Sequence, residues 1–574
     1  MNRRHLLRHI PRGAKTFVRH LAAPTGPRKR TTRIDIVNPE LCDTVLTRFR
    51  ATLPGPGSCD LIDINPGKGL WSQKLHDLLQ PRRHVLVEPN FANYAVSLEP
   101  LLTENDSTYR RAAVLEDAFN PNNGLLSEYP TGNALHPNPA LLLTVNLSGA
   151  QFKTNLYKGS PARKFFSDLY MSLWRIRTDI HRYGLVRVLA WVPDEEKDAY
   201  IPRTVGVRRA QAVMLEASHK IQELVGGPAN DRPTFFQKWR EMEVQDRARV
   251  KAMENGVDLR VPDHRRDQLS PTYLLGVFPS PKNIRRGGFI SDAAWVTRFL
   301  ELDDHLREVH PAWHKKASID NLLKLRIINS EQEEWQSLLK VALTQHKTHM
   351  RAVELVKEQR RIDKEWRDLA AAKANSRDAQ QQPTEKEFEL RNRSENLSAS
   401  ISRLSRTNRL FAEKAIDDYR ALDLNPPVMS WNQREAEPIL VHDEDFLPKT
   451  KHLALLDVTP RVDFLRKIST HDTMVYFGYV ERNLWLSWSR TVYDALRTLV
   501  HEGVDDFIET IPGIHDPTKG GCYNLSAIRV RSLPAGLVVE IALAYERWPF
   551  RRSLVDILMS GEDPQAAYSL SDDD

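Results

Sequence analysis

The sequence predicts an α/β fold: a doubly wound, Rossmann-like domain, a long helical insertion and a mostly helical C-terminal domain. Three observations carry this. A short apolar strand (Leu61, Ile62, Ile64) runs into a turn holding Gly67 and Gly69, and Trp71, Leu75, Leu78 and Leu79 then share one helical face. Strand-like and helix-like patterns keep alternating as far as Val192, the rhythm of a parallel sheet with crossover helices. A last sheet-like run, His452–Val458, returns after a long charged stretch, as though the domain had been interrupted.

Taken in order, residues 1–33 carry Arg3, Arg4, Arg8, Arg12, Lys15, Arg19, Arg28, Lys29, Arg30 and Arg33 with no acidic residue, and Leu6, Leu7, Ile10, Phe17, Val18 and Leu21 are mixed among them. An Arg-rich, acid-free amphipathic N-terminus reads as a mitochondrial transit peptide, which places the protein in the matrix. The other reading is a basic arm that binds nucleic acid. The Rossmann-like domain is expected over 34–266. It begins with a helix carrying Leu41, Val45, Leu46 and Phe49 that stops at the Pro54–Gly57 turn. The strand at Leu61 follows, then a second strand ending at Glu88, a helix over Tyr94–Leu102 and a third strand over Arg111–Leu115 that leads into Glu116 and Asp117. A loop rich in Pro, Asn and Gly separates these from Ala140–Leu147, a continuous apolar run that suits a strand buried on both faces. A helix around Phe166–Arg177, a strand over Leu185–Val192 stopped by Pro193, and helices over Ala210–Val225 and Pro233–Asn255 complete the domain.

The insertion is expected over 267–450. Tyr273–Phe278 could form a strand and Gly287-Gly288 a turn. Ile319–Asp423 reads as a charged helical hairpin or bundle, in which Trp335, Leu338, Leu339 and Ala342 lie on one face, as do Met350, Val353 and Val356, with a break at Gln380–Pro383. A solvated arm without a partner is the alternative. The returning strand occupies 451–466. The C-terminal domain, 467–560, is helical from Tyr476 to Val500 and is expected to end in a strand, Leu537–Tyr545. An acidic tail, 561–574, is expected to be disordered.

Composition narrows the function classes. No window approaches the ~18 uninterrupted apolar residues of a membrane span. Cys42, Cys59 and Cys522 lie far apart, as suits a reducing compartment, and no Cys/His group has zinc-ligand spacing, so no metal is expected. The formal charge is +7, from 82 basic and 75 acidic residues; without the ten basic residues of the leader, 72 basic residues face the same 75 acids. Nucleic-acid binding would therefore rest on a local patch.

Four strand ends converge on one edge of the predicted sheet, and open α/β sheets bind ligands at that edge. Asp63 and the turn with Asn65, Gly67 and Gly69 would approach a ligand through backbone N–H groups. Glu88, ending the second strand, is placed to accept both hydroxyls of a ribose. Asp117 would accept from an adenine amino group, and Asn146 would hold the hydrogens of an exocyclic amine. That constellation fits methyl transfer from S-adenosylmethionine to an adenine nitrogen, with Asn146 as the catalytic position. The alternative is a structural turn with surface acids.

Asp63-Ile-Asn-Pro-Gly67-Lys-Gly69, Glu88, Asn146-Leu-Ser-Gly149, Leu189-Ala-Trp-Val-Pro193 and the late strand Leu453–Pro460 resemble the rRNA adenine N6-dimethyltransferase superfamily. Within it, the chain looks most like the branch of fungal mitochondrial transcription factors, the specificity factors of the single-subunit mitochondrial RNA polymerase. The resemblance covers about 34–224 and, more weakly, 452–510. It implies a SAM-dependent methyltransferase fold and, in that branch, a partner polymerase and a promoter whose non-template strand is held. Two departures from the enzymes argue against catalysis. Asn65 stands where their loop has its first glycine, followed by Pro66, which lacks an N–H. Gly149 replaces the aromatic residue that would stack on the flipped adenine. The candidate nucleic-acid residues are Lys153, Lys158, Arg163, Lys164, Arg175, Arg177 and Arg182, interleaved with Phe152, Tyr157 and Trp174. An active mitochondrial rRNA dimethyltransferase and a ribosome-assembly factor that binds RNA are the rival expectations.

Overall fold

The computed structural model describes residues 33–103, 107–129, 136–149, 152–154, 157–173, 180–227, 235–254, 261–266, 294–309, 329–375 and 384–559. The rest of the leader, Tyr273–Phe278, Gly287-Gly288, the break at Gln380–Pro383 and the acidic tail lie outside them. The chain divides into two compact units. The first comprises 1–228, 248–267 and 424–574, the second 229–247 and 268–423.

The first unit is built on an eight-stranded sheet. In chain order its strands are β1 (Asp60–Ile64), β2 (His84–Val87), β3 (Tyr109–Ala112), β4 (Pro137–Asn146), β5 (Leu185–Pro193), β6 (His219–Gly226), β7 (Ile439–Leu440) and β8 (Leu453–Pro460). Across the sheet they run β3-β2-β1-β4-β5-β8-β6-β7. The first five are mutually parallel, with Ile64 beside both Val87 and Val145, and Asn146 beside Trp191. β8 is antiparallel to both neighbours, pairing Leu456 with Ala190 and Val458 with Ile221. This is a Rossmann-like methyltransferase fold, in which chain from beyond the insertion supplies a central strand of the sheet.

Alternation along the strands sends side chains to two cores. Ile62, Ile64, Leu141, Leu143, Val145, Val188 and Ala190 face a helical layer that includes Phe166, Leu169 and the C-terminal helices. Leu61, Leu142, Leu189, Trp191 and Leu455 face Leu41 and Val45 of α1 (Pro39–Phe49) and Trp71 and Leu75 of α2 (Leu70–Leu79). Both sides of the sheet are covered, so its strands read as apolar runs. Helix starts follow local chemistry. Asn38 caps α1 through Glu40 N at 3.0 Å, with Pro39 in the first turn. Ser160 caps the helix Pro161–Ser172 through Arg163 N at 3.1 Å.

Three sequence expectations are corrected. The third strand lies at Tyr109–Ala112, ahead of Arg111–Leu115, because Leu115 already opens the helix Leu115–Phe119. The helix starting at Ala210 stops at Ser218, and His219–Gly226 is strand β6, hydrogen-bonded to β8. Leu537–Tyr545 is the middle of a helix, Ala535–Arg547, packed with the helix His471–Leu486 in the larger core. Its apolar run is long because almost every side of the helix is buried.

The second unit is helical, and its long elements are Ala294–Val309, Ser330–Asn375, Glu385–Ser402 and Arg406–Leu422. Trp335 stacks on Phe299 with ring centres 5.6 Å apart, and Leu339 and Ala342 share that core. The guanidinium of Arg360 bonds Glu243 at 2.6 Å and Asp423 at 2.6 Å, and Arg240 pairs with Asp418 at 2.5 Å. These bonds hold residues 235–247 of the helix Phe235–Glu254 within this unit.

Candidate functional site

The C-terminal ends of β1, β2 and β4 meet as the sequence predicts. After β1 the chain turns through Asn65 (φ 59°), Gly67 (φ 58°) and Gly69 (φ 79°), and α2 begins at Leu70. Asparagine tolerates this left-handed backbone better than most side chains. Gly67 needs its glycine for a second reason: a Cβ there would fall 2.4 Å from Asp35 Oδ1.

Glu88 is 1% exposed at the end of β2. Its Oε1 accepts from Asn90 N at 2.9 Å, and its Oε2 accepts from Gly67 N at 3.4 Å. Asp63 is buried, and its Oδ2 has no hydrogen-bond partner among the described residues. Burial pushes its carboxyl up to about 7 and Glu88 adds to the rise, while Ser72 and Arg33 oppose it. Ser72 Oγ also lies 3.3 Å from His84 Nε2, and His84 Nδ1 lies 3.0 Å from His76 Nδ1. Burial holds His84 well below the usual histidine range.

Asn146 ends β4 with both polar atoms of its amide hydrogen-bonded. Its Nδ2 donates to the Ile34 carbonyl at 2.9 Å, and its Oδ1 accepts from Ser148 N at 3.0 Å and Ser148 Oγ at 2.6 Å. Its own carbonyl accepts from Asn65 Nδ2 at 3.0 Å. Gly149 is exposed, and among the described residues a Cβ on it would meet only Pro161 Cγ, at 3.8 Å.

The residues that sequence reasoning missed are Arg33, Ile34, Asp35 and Ser148. Arg33 crosses the sheet edge and donates from Nη1 to Glu88 Oε2 at 2.5 Å and from Nη2 to Asn65 Oδ1 at 3.1 Å. Its guanidinium lies 5.3 Å from the Tyr94 ring centre. Ile34 N donates to Ser148 Oγ at 3.0 Å. Asp35 is partly desolvated, which raises its pKa against the pull of Lys68 and Arg33. The available signal was Ile34-Asp35-Ile36, an apolar alternation directly after the basic run; Ile36 pairs in a short ladder with Phe446.

Asp63, Asn65, Gly67, Glu88 and Asn146 are thus gathered at one edge, with Gly69 opening α2. Asp117 is on the helix Leu115–Phe119 and not on a strand end, because β3 stops earlier than expected; its carbonyl accepts from Asn123 Nδ2 at 3.0 Å. S-adenosylmethionine does not fit the edge in this conformation. Arg33 occupies Glu88, both polar atoms of the Asn146 amide are hydrogen-bonded, and the cavity beside Asp63, Asn65 and Asn146 is about 10 Å³. That is room for about one water molecule. Among the described residues, no group of three His, Cys, Asp or Glu side chains is placed to hold a metal ion. None of the helices there is long and apolar enough to cross a membrane.

The candidate nucleic-acid residues are not brought together as one described patch. Lys153 and Lys158 are backbone partners in a short hairpin, Phe152–Thr154 with Tyr157–Gly159. Arg163 and Lys164 lie on the following helix, where Lys164 pairs with Asp168 at 2.7 Å. Arg182 donates to the Phe119 carbonyl at 3.3 Å. Arg175 and Arg177 are outside the described residues. A basic and aromatic grouping that the sequence did not flag involves Trp488, whose ring centre is 4.7 Å from the Arg209 guanidinium and 5.6 Å from that of Arg531.

No protein-family model and no curated protein matches the chain. Among solved structures, a dimethyladenosine transferase from Plasmodium falciparum aligns with 47% of this chain and 89% of its own length, at 11% identity and a TM-score of 0.22. The fold assignment rests on the strand order and register described above.

Proposed function

We propose that this protein is a nucleic-acid-binding factor on a methyltransferase fold that does not transfer methyl groups, and that it serves mitochondrial transcription initiation beside the mitochondrial RNA polymerase. The state of Asn146 is the observation that carries the first half. A methyltransferase acting on an exocyclic amine needs that side chain free to hold the amine's hydrogens, and here both ends of the amide are spent on Ile34 and Ser148. Gly149 also offers no ring for the base, which forfeits roughly 1–3 kcal/mol of stacking.

The second half draws on the sequence resemblance to the fungal mitochondrial factors and on the Arg-rich leader. In this reading the protein binds the separated non-template strand, with phosphates over basic residues and bases against aromatic ones. Trp488 with Arg209 has the composition for one such contact, and the hairpin carrying Lys153 and Lys158 could supply another.

Run-off transcription from a linear mitochondrial promoter, with the cognate polymerase and with or without this protein, tests the proposal. Correctly started transcripts only in its presence are expected. Unchanged transcripts would remove the transcription reading. Methyl transfer to small-subunit rRNA and co-sedimentation with ribosomal subunits would then separate a dimethyltransferase from a ribosome-assembly factor.

A further inference from the structure

Arg33, Ile34 and Asp35 make three different contacts at the nucleoside edge, and each matches what a bound adenosyl amino acid would ask of it. A ribose offers hydrogen-bond donors to the acid that ends the second strand; Arg33 offers guanidinium N–H groups to that same Glu88, at 2.5 Å. An anionic group would sit against the glycine turn ahead of α2; the Asp35 carboxylate stands over Gly67, closer than any Cβ there would allow, and beside Lys68. The polar groups at the end of β4 would meet the reacting part of a ligand; here they bond the Ile34 main chain, from Asn146 Nδ2 at 2.9 Å and to Ser148 Oγ at 3.0 Å.

We infer that the segment Arg33–Asp35 is a built-in occupant of this edge, and that displacing it opens the site to ligands bearing adenosine. The Arg33–Glu88 pair is the latch. Glu88 is buried while Arg33 remains partly exposed, so the arginine can leave for solvent and the acid cannot. Arg33 also sits at the expected end of the leader. Cleavage before it would leave the occupant in place, and cleavage after it would remove the guanidinium. The inference goes beyond the choice between transcription and ribosome assembly: run-off dependence can fail while the latch holds, and the latch can fail while run-off dependence holds.

The test is calorimetric titration of the full chain with S-adenosylhomocysteine as the probe. Arg33→Ala should bind it at least tenfold more tightly than the native chain, and Arg33→Ala/Glu88→Ala should lose that gain. Arg33→Met keeps the aliphatic stem beside Tyr94 and serves if the alanine variant does not fold; it should show the same gain. Equal binding by the native chain and the folded variant would overturn the inference, as would binding by neither.

Discussion

Arg187 on β5 and Asp457 on β8 form a two-pronged ion pair, Nε to Oδ1 at 2.8 Å and Nη2 to Oδ2 at 2.5 Å, across 270 positions of sequence. The partners sit on strands that are adjacent in the sheet, although the helical unit intervenes between them in the chain. Arg187 also holds Thr52 just after α1. A fork-to-fork pair at a partly buried position couples its partners more strongly than an exposed one. A double-mutant cycle with Arg187→Ala and Asp457→Ala should give a coupling energy of about 1–2 kcal/mol in urea unfolding. Strict additivity would mean that the pair does not hold β8 in place.

Gly67 is constrained twice, by φ 58° and by the approach of Asp35. Gly67→Ala meets the left-handed penalty of roughly 1–2 kcal/mol and drives the new Cβ against Asp35. A fall in thermal midpoint is expected. Gly67→Ala/Asp35→Ala should recover the part due to the clash and keep the part due to the backbone. Full recovery would show that φ at this turn is not limiting.

How far the sequence exposes this architecture depends on how local each signal is. β1, its glycine turn and α2 are legible because apolar spacing and two glycines fall within one short stretch, and β8 is legible because it is apolar amid charged sequence. His219–Gly226 misleads: Lys220 and Gln222 alternate with Ile221 and Glu223, and only pairing with β8 makes that alternation a strand. Ala535–Arg547 misleads the other way, since burial on nearly all sides erases helical periodicity. At the site, Glu88 and Asn146 can be placed because strand ends are local features. The role of Arg33 cannot, because its contacts are 32 and 55 positions away and it reads as the last residue of a basic leader.

Asp63 gives a pH signature. Its folded carboxyl is pushed up to about 7 from an ordinary 3.8, so between those values the folded chain holds a proton that the unfolded chain has released. Its contribution is therefore most favourable below about pH 4, declines as pH rises to about 7, and is level beyond. Asp63→Asn removes the titration and should gain on the native chain over that range, by a few kcal/mol at most. Parallel stability curves from pH 4 to 8 would contradict the burial argument.

His181 works in the opposite sense. Its Nδ1 accepts from Val186 N at 3.1 Å, which leaves the ring proton on Nε2, buried and without an acceptor among the described residues. Burial pushes its pKa down to about 3 from 6.5. The unfolded chain takes up a proton below 6.5 and the folded chain does not, so this stability is complete above pH 6.5 and drains away toward pH 3. His181→Asn retains an acceptor near the Nδ1 position and should flatten the acid limb of a stability–pH curve. An unchanged limb would assign the acid sensitivity elsewhere.

Gly149 is exposed, and among the described residues a Cβ there would meet only Pro161 at 3.8 Å, but its φ of 158° strains any side chain placed on it. If the missing ring were the single obstacle to catalysis, Gly149→Tyr would revive methyl transfer to an adenine in RNA. Asn146 makes the opposite outcome the expected one. Its amide stays bonded to Ile34 and Ser148 whatever stands at 149, and Arg33 stays on Glu88. Gly149→Tyr should therefore show no transfer of label from S-adenosylmethionine to RNA. Label incorporated by the single variant would mean that the Ile34 contact yields readily to substrate and that the fold has kept its chemistry.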